Sequence, residues 1–254
     1  MQTLYLLTFG GGTNSTALLI ELVKRKHQLD FIIFSDTGAE TENTYRHIKR
    51  MSSWLIQNGY PEIIFVQTTN REGQKITLEE DCLKYKRLPS LAYGFKGCSL
   101  KFKKRPQDKY MNNNPVAKEI WKQGGKITKI IGFDADEEHR AKRFVEDKKY
   151  VAWYPLIDWD IGRKECIEII KKAGFALPGK SSCFFCPAMK KQEIKDLYTC
   201  NRHLYDRAIE IEKNANLQSV SGLGRSFSWE NLIRNYDSQQ KLFNIEISCD
   251  CYDG

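Results

Sequence analysis

The apolar run Thr3–Phe9 passes directly into Gly10-Gly11-Gly12, and Thr13-Asn14-Ser15-Thr16 then leads into the amphipathic stretch Ala17–Val23. A strand, a run of glycines and a helix in that order confine the chain to folds in which a sheet delivers a tight turn onto a helix N-terminus. Glycines without Cβ atoms let the backbone turn sharply and bring bare N–H groups close to an anion, and the first turn of the helix adds the positive end of its dipole. Ser15 and Thr16 can cap the helix or donate to a phosphate oxygen. The plain alternative is a Gly-rich turn with no ligand, but the strand before it and the helix after it are the context that phosphate binding requires. No Gly-Lys-Ser/Thr follows, so this is not a Walker A loop, and the G-x-G-x-x-G spacing of a dinucleotide fold is absent.

Further apolar, β-branched or aromatic runs at Phe31–Ser35, Ile63–Gln67, Ile127–Phe133 and Tyr150–Leu156 predict strands, with helical patterns at Ser15–Lys26, Glu40–Asn58 and near Glu137–Phe144. Continuous apolar strands alternating with helices predict an α/β fold with a doubly wound parallel five-stranded sheet covered on both faces. Ligands in such sheets sit outside the carboxyl ends of the strands, at the switch point. From Asp158 the pattern changes to a helix at Gly162–Ala173, a Pro-Gly-Lys-Ser-Ser loop and a long helix at Lys190–Asn214. The expected organisation is a nucleotide-binding domain over 1–157 and a small, mostly helical, cysteine-bearing C-terminal region over 158–254 packed on it.

The glycine loop resembles the pyrophosphate loop (PP-loop, S-G-G-x-D-S) of the adenine nucleotide α-hydrolase-like superfamily, with Gly10 in place of the first Ser and Asn14 in place of the Asp. Two further segments carry the resemblance. Asp36-Thr37-Gly38-Ala39-Glu40 followed by Thr44-Tyr45 is similar to the D-T-G…E-T segment of the phosphoadenylyl-sulfate (PAPS) reductase-like branch, and Gly132–Arg140 to that branch's G-x-x-x-x-E-x-x-R segment. The resemblance covers roughly the first 160 residues and implies an adenine-nucleotide site that takes ATP with Mg²⁺. It implies that Gly10, Gly11, Gly12, Asn14, Ser15, Thr16, Asp36, Thr37, Gly38 and Glu137 hold the nucleotide, and that Arg140 supplies positive charge. Asp36, directly after a strand, reads as a functional carboxylate or a ribose contact. The acidic run Asp134, Asp136, Glu137 and Glu138 either holds Mg²⁺ on a pyrophosphate or caps the helix that starts there, and capping is the better reading of Asp134 and Asp136.

Forty Lys and Arg against thirty-two Asp and Glu leave +8. That balance favours anionic partners such as nucleotides or nucleic acid. No window approaches the roughly 18 apolar residues of a membrane span, and the N-terminal residues lack the pattern of a secretory signal. A cytoplasmic location is expected, and there the eight cysteines suit metal binding or chemistry better than disulfides. Cys166 and Cys200 fall on apolar helical stripes and read as small core residues.

Cys183-Phe184-Phe185-Cys186-Pro187 places two thiolates where they can grip one metal, Cys249 and Cys251 offer a second pair, and Cys98 a single ligand. The resemblance adds that, in some members of the branch, a cysteine ahead of a Leu-Lys…Pro segment (here Cys98, Leu100, Lys101 and Pro106) joins such a pair around a [4Fe-4S] cluster. Zinc suits the same thiolates, and a metal-free pair is the third reading. The basic run Lys101-Phe102-Lys103-Lys104-Arg105 is either a solvated helix face or a phosphate contact, and cations beside Cys98 would lower its pKa. Cys98, Lys101 and Arg140 are therefore the candidate catalytic residues.

Two enzymatic readings follow from the resemblance. One is ATP-dependent adenylation of an acceptor with pyrophosphate release, coupled to sulfur transfer from a donor protein, with a nucleic acid as a possible acceptor. The other is thiol-dependent reduction of a sulfonucleotide, but the E-C-G-L-H motif of those reductases is missing. The histidines are His27, His47, His139 and His203, and none follows a Cys-Gly pair. A non-catalytic nucleotide- or nucleic-acid-binding module is the third reading.

Overall fold

A computed structural model describes residues 3–142 and 147–243, so the candidate ligands Cys249 and Cys251 lie outside the described residues. Strands β1 (Tyr5–Thr8), β2 (Phe31–Asp36), β3 (Ile63–Gln67), β4 (Ile127–Ile131) and β5 (Tyr150–Trp153) form one sheet in the order β3-β2-β1-β4-β5. Every pairing is parallel, with Leu7 opposite Ile32 on one side and Ile130 on the other. This is the doubly wound sheet that the apolar runs predict.

Both faces of the sheet are covered, and the strand residues alternate between them. Leu7, Ile32, Phe34 and Ile130 pack with helices α1 (Thr13–Lys24) and α2 (Glu42–Gln57), through Leu18, Leu22, Ile48 and Met51. Leu6, Ile33, Val66 and Ile127 pack on the opposite face with Met111 and Ala117, from the helices Arg105–Asn113 and Pro115–Lys122. The strand order reverses direction between β1 and β4, so the loops leaving these two strands open onto one switch point.

Two expected strands are shorter than their apolar runs. The run at Tyr150–Leu156 leaves the sheet after Trp153 because Pro155, which has no N–H for the ladder, opens a short helix over Pro155–Asp158. The run at Ile127–Phe133 stops at Ile131, next to Gly132. A Cβ on Gly132 would stand 3.2 Å from Ser15 Cα and 3.3 Å from Ser15 N, so only glycine lets the start of α1 come this close to the end of β4.

Contacts divide the chain into two compact units, one of residues 1–77 and 99–183 and the other of 78–98 and 184–254. The helix Arg163–Lys172, which was expected in a C-terminal region beginning at 158, packs on α1 within the first unit. In the second unit, Glu212 is buried and accepts the backbone N–H groups of Leu223 at 2.7 Å and Trp229 at 3.0 Å, which clamps the loop before the helix Trp229–Phe243.

The long helix expected over Lys190–Asn214 is two helices, Lys191–Cys200 and Arg202–Asn214, broken at Asn201. Asparagine competes for backbone hydrogen bonds and favours such breaks. The break takes Cys200 off the apolar stripe and leaves it exposed, a correction to its reading as core, whereas Cys166 is buried as expected. No helix among the described residues is long and apolar enough to cross a membrane.

Candidate nucleotide site

Gly11 has φ +72°, a left-handed conformation that glycine adopts at no steric cost. Gly12 is extended and is the N-cap of α1, with no side-chain hydrogen bond capping the helix. Thr16 N donates to Gly12 O at 2.9 Å, but the backbone N–H groups of Gly10 through Ser15 have no acceptor among the described residues. These six successive donors stand at the end of β1 and at the N-terminus of a helix of 12 residues, where unpaired N–H groups and the helix dipole favour an anion.

The Ser15 and Thr16 hydroxyls of this loop turn inward. Ser15 Oγ donates to Gly12 O at 3.0 Å, and Thr16 Oγ1 lies 2.9 Å from His47 Nε2 on α2. Burial, followed by the charge of Arg50, lowers the His47 pKa, so the imidazole is neutral at neutral pH. Thr16 thus ties α1 to α2. Ser181 donates to the carbonyl oxygen of Gly10 and holds the entry of the loop.

Asn14 reaches across the switch point. Its Nδ2 donates to Asp134 Oδ2 at 2.7 Å and to Glu137 Oε2 at 3.2 Å, while its Oδ1 accepts from Arg163 Nη1 at 2.6 Å. A guanidinium only donates, so the Arg163 contact fixes which end of the amide faces the carboxylates. Asp134 is buried, and its Oδ1 has no hydrogen-bond partner among the described residues. Burial, with the neighbouring Glu137 charge second, raises its pKa above the ordinary carboxylate value.

Asp134 makes no side-chain cap at the 3-10 turn it precedes, and Asp136 caps a different helix from the one expected, accepting Arg163 N at 2.9 Å at the start of Arg163–Lys172. Arg140 pairs with Glu137 and lies 4.2 Å over the Phe133 ring, so its charge already has a partner.

After β2, Asp36 accepts Gly38 N at 2.7 Å, Tyr45 Oη at 2.7 Å and Gln67 Nε2 at 2.6 Å. These bonds make it the hub of the turn that follows β2. Burial and the Asp36 carboxylate together push the Tyr45 pKa up. Thr37 Oγ1 lies 3.2 Å from Cys183 Sγ, with both groups buried. Glu40 is buried, neither of its carboxylate oxygens has a hydrogen-bond partner among the described residues, and Lys103 Nζ forms an ion pair with it at 3.7 Å. Burial raises the Glu40 pKa, and Lys103 opposes the rise.

The basic run is helical. Leu100–Lys104 forms a π-turn that leads into Arg105–Asn113. Its carbonyls are held at the carboxyl ends of two strands: Thr68 Oγ1 donates to Lys101 O at 2.9 Å and Ser35 Oγ to Lys103 O at 2.8 Å. Lys101 Nζ lies 5.2 Å over the Phe102 ring, and Lys104 pairs with Asp108 at 2.6 Å. Lys103 and Lys104 of this run therefore face carboxylates.

Cys98 and Cys186 belong to the second unit, and both are half-buried; Cys98 N donates to Ser90 Oγ at 2.6 Å. Among the described residues, no group of three or more His, Cys, Asp or Glu side chains is arranged to hold a metal ion.

No protein-family model matches the chain, and no curated protein matches it. Among solved structures, the U34-tRNA thiolase NcsA from Methanococcus maripaludis with its [4Fe-4S] cluster is similar over 99% of this chain and 76% of that chain, at 16% identity and a TM-score of 0.45.

Arg163, Ser181 and His47 are absent from the sequence-level expectation. Arg163 meets Asn14 across 149 positions of sequence and Ser181 meets Gly10 across 171, and no local pattern encodes such contacts.

Proposed function

We propose that this chain is an ATP-using enzyme of the PP-loop type that adenylates an acceptor and releases pyrophosphate, with sulfur transfer to the activated acceptor as the second half of the reaction. The observation that carries this reading is the row of unpartnered N–H groups from Gly10 to Ser15 at the carboxyl end of β1. ATP enters as its Mg²⁺ complex, with its β- and γ-phosphates against these donors. An acceptor oxygen attacks the α-phosphorus and the bond to the β-phosphate oxygen breaks. Negative charge grows on the departing pyrophosphate, where fixed N–H dipoles stabilise it without reorganising. Gly38 and Thr37, held by the Asp36 turn after β2, line the neighbouring strand end on the nucleoside side. A nucleic acid is the acceptor class that suits the +8 chain, and sulfur delivered by a donor protein then displaces AMP.

The test is pyrophosphate release from ATP, measured alone and with RNA, beside sulfite release from PAPS under reducing conditions. The reading expects pyrophosphate that rises with the acceptor and no sulfite. Sulfite without pyrophosphate would replace it with the reductase reaction, and neither product would leave a binding module.

A further inference from the structure

Arg163 is exposed, yet it is fixed at both ends: its backbone N–H donates to Asp136 Oδ2 at 2.9 Å, and its Nη1 donates to Asn14 Oδ1 at 2.6 Å. The second bond sets the guanidinium beside residue 14 of the glycine loop, whose own backbone N–H is among the unpartnered donors. Arg140 and Lys103, two other cations near these strand ends, each face a carboxylate. Arg163 has no ion pair among the described residues; Asp134 and Glu137 accept the Asn14 amide, Asp136 accepts the backbone N–H of Arg163 itself, and the second oxygen of Asp134 has no hydrogen-bond partner among the described residues. A guanidinium anchored through one nitrogen keeps its remaining N–H groups in a rigid plane, the geometry that binds phosphate oxygens in pairs.

We infer that Arg163 is a phosphate-binding residue of this site, gripping the pyrophosphate portion of the bound nucleotide, and that Asn14 is the positioning residue that aims it. The inference rests on the nucleotide reading above and adds a residue that the loop resemblance does not include. It also gives Asn14 a task different from touching the phosphate: its two amide protons go to the carboxylates and its oxygen goes to Arg163.

The test is calorimetric binding of inorganic pyrophosphate and of ATP to the full chain and to Arg163→Ala, Arg163→Gln and Lys164→Ala, with thermal unfolding of each. Lys164 is the exposed neighbour and controls for the loss of one positive charge. Removal of a charge-assisted pair weakens binding by about 10- to 100-fold. That loss is expected for both Arg163 variants, with unfolding unchanged, and less than about twofold for Lys164→Ala. Asn14→Ala is expected to weaken pyrophosphate binding in the wild-type background but to add little to Arg163→Ala, because positioning acts only through the residue positioned. Wild-type binding with Arg163 variants that bind equally well would overturn the inference and leave the nucleotide reading standing. A wild type that binds neither ligand would overturn both.

Discussion

Asn14 Nδ2 donates to Asp134 Oδ2 at 2.7 Å across 120 positions of sequence, and this bond ties the loop after β1 to the turn after β4. The two strands are neighbours in the sheet and stand where its winding reverses, so the bond spans the crevice in which parallel sheets hold ligands. An amide suits this position because it offers two donors to two carboxylates and one acceptor to a guanidinium. An aspartate would offer no donor there.

Asn14→Asp restores the acidic residue of the loop motif, and it is expected to destabilise the protein. It sets a third carboxylate against Asp134 and Glu137 and removes both amide donors, at a cost of about 2–4 kcal/mol at neutral pH. Mutual repulsion raises the folded-state pKa values of the group, so the folded variant binds protons more readily than its unfolded chain. The deficit is therefore largest at neutral pH and shrinks as pH falls toward the carboxylate range near about 4. Thermal unfolding of both proteins from pH 7.5 down to 4.5 measures this, and a deficit that stays constant or grows on acidification would refute it.

The sheet was legible because each strand is a continuous apolar run and because glycines mark the end of β1. The polar helix Arg105–Asn113 was not: its exposed Arg105, Lys109 and Asn112 mask a face on which only Pro106, Gln107 and Met111 are buried. The glycine loop was legible for the same local reason as the strands. What escaped was every contact made at long range. Ser15 and Thr16 looked like caps or phosphate ligands, and only packing shows their hydroxyls turned to Gly12 and His47. Arg140 stands in a motif that implies a supply of positive charge, but a partner three positions away pairs with it, while Arg163 stands in none.

The cysteines separate by environment, and thiol labelling reads the separation directly. Burial pushes the Cys166 thiol up to about 12, so almost no reactive thiolate forms at pH 8, and Cys82 is likewise buried. Cys200, exposed at the break before Asn201, is expected to react ahead of both. Timed alkylation of the native protein followed by peptide mass analysis should place Cys200 well ahead of Cys166 and Cys82. Labelling of Cys166 at the rate of Cys200 would contradict the buried packing of the helix Arg163–Lys172 on α1.

The most direct measurement is ATP and pyrophosphate binding by the wild type and by Thr13→Pro. Thr13 is the first residue of α1, where proline fits a helix, and Gly12 before it is extended at φ −95°, ψ 178°, as a residue preceding proline prefers. The substitution deletes one unpartnered N–H from the row that is proposed to hold the pyrophosphate. The expected result is that the wild type binds both ligands and that Thr13→Pro unfolds within a few degrees of it but binds each about tenfold more weakly. A wild type that binds neither, or a folded Thr13→Pro that binds both undiminished, would contradict the assignment of this loop to phosphate.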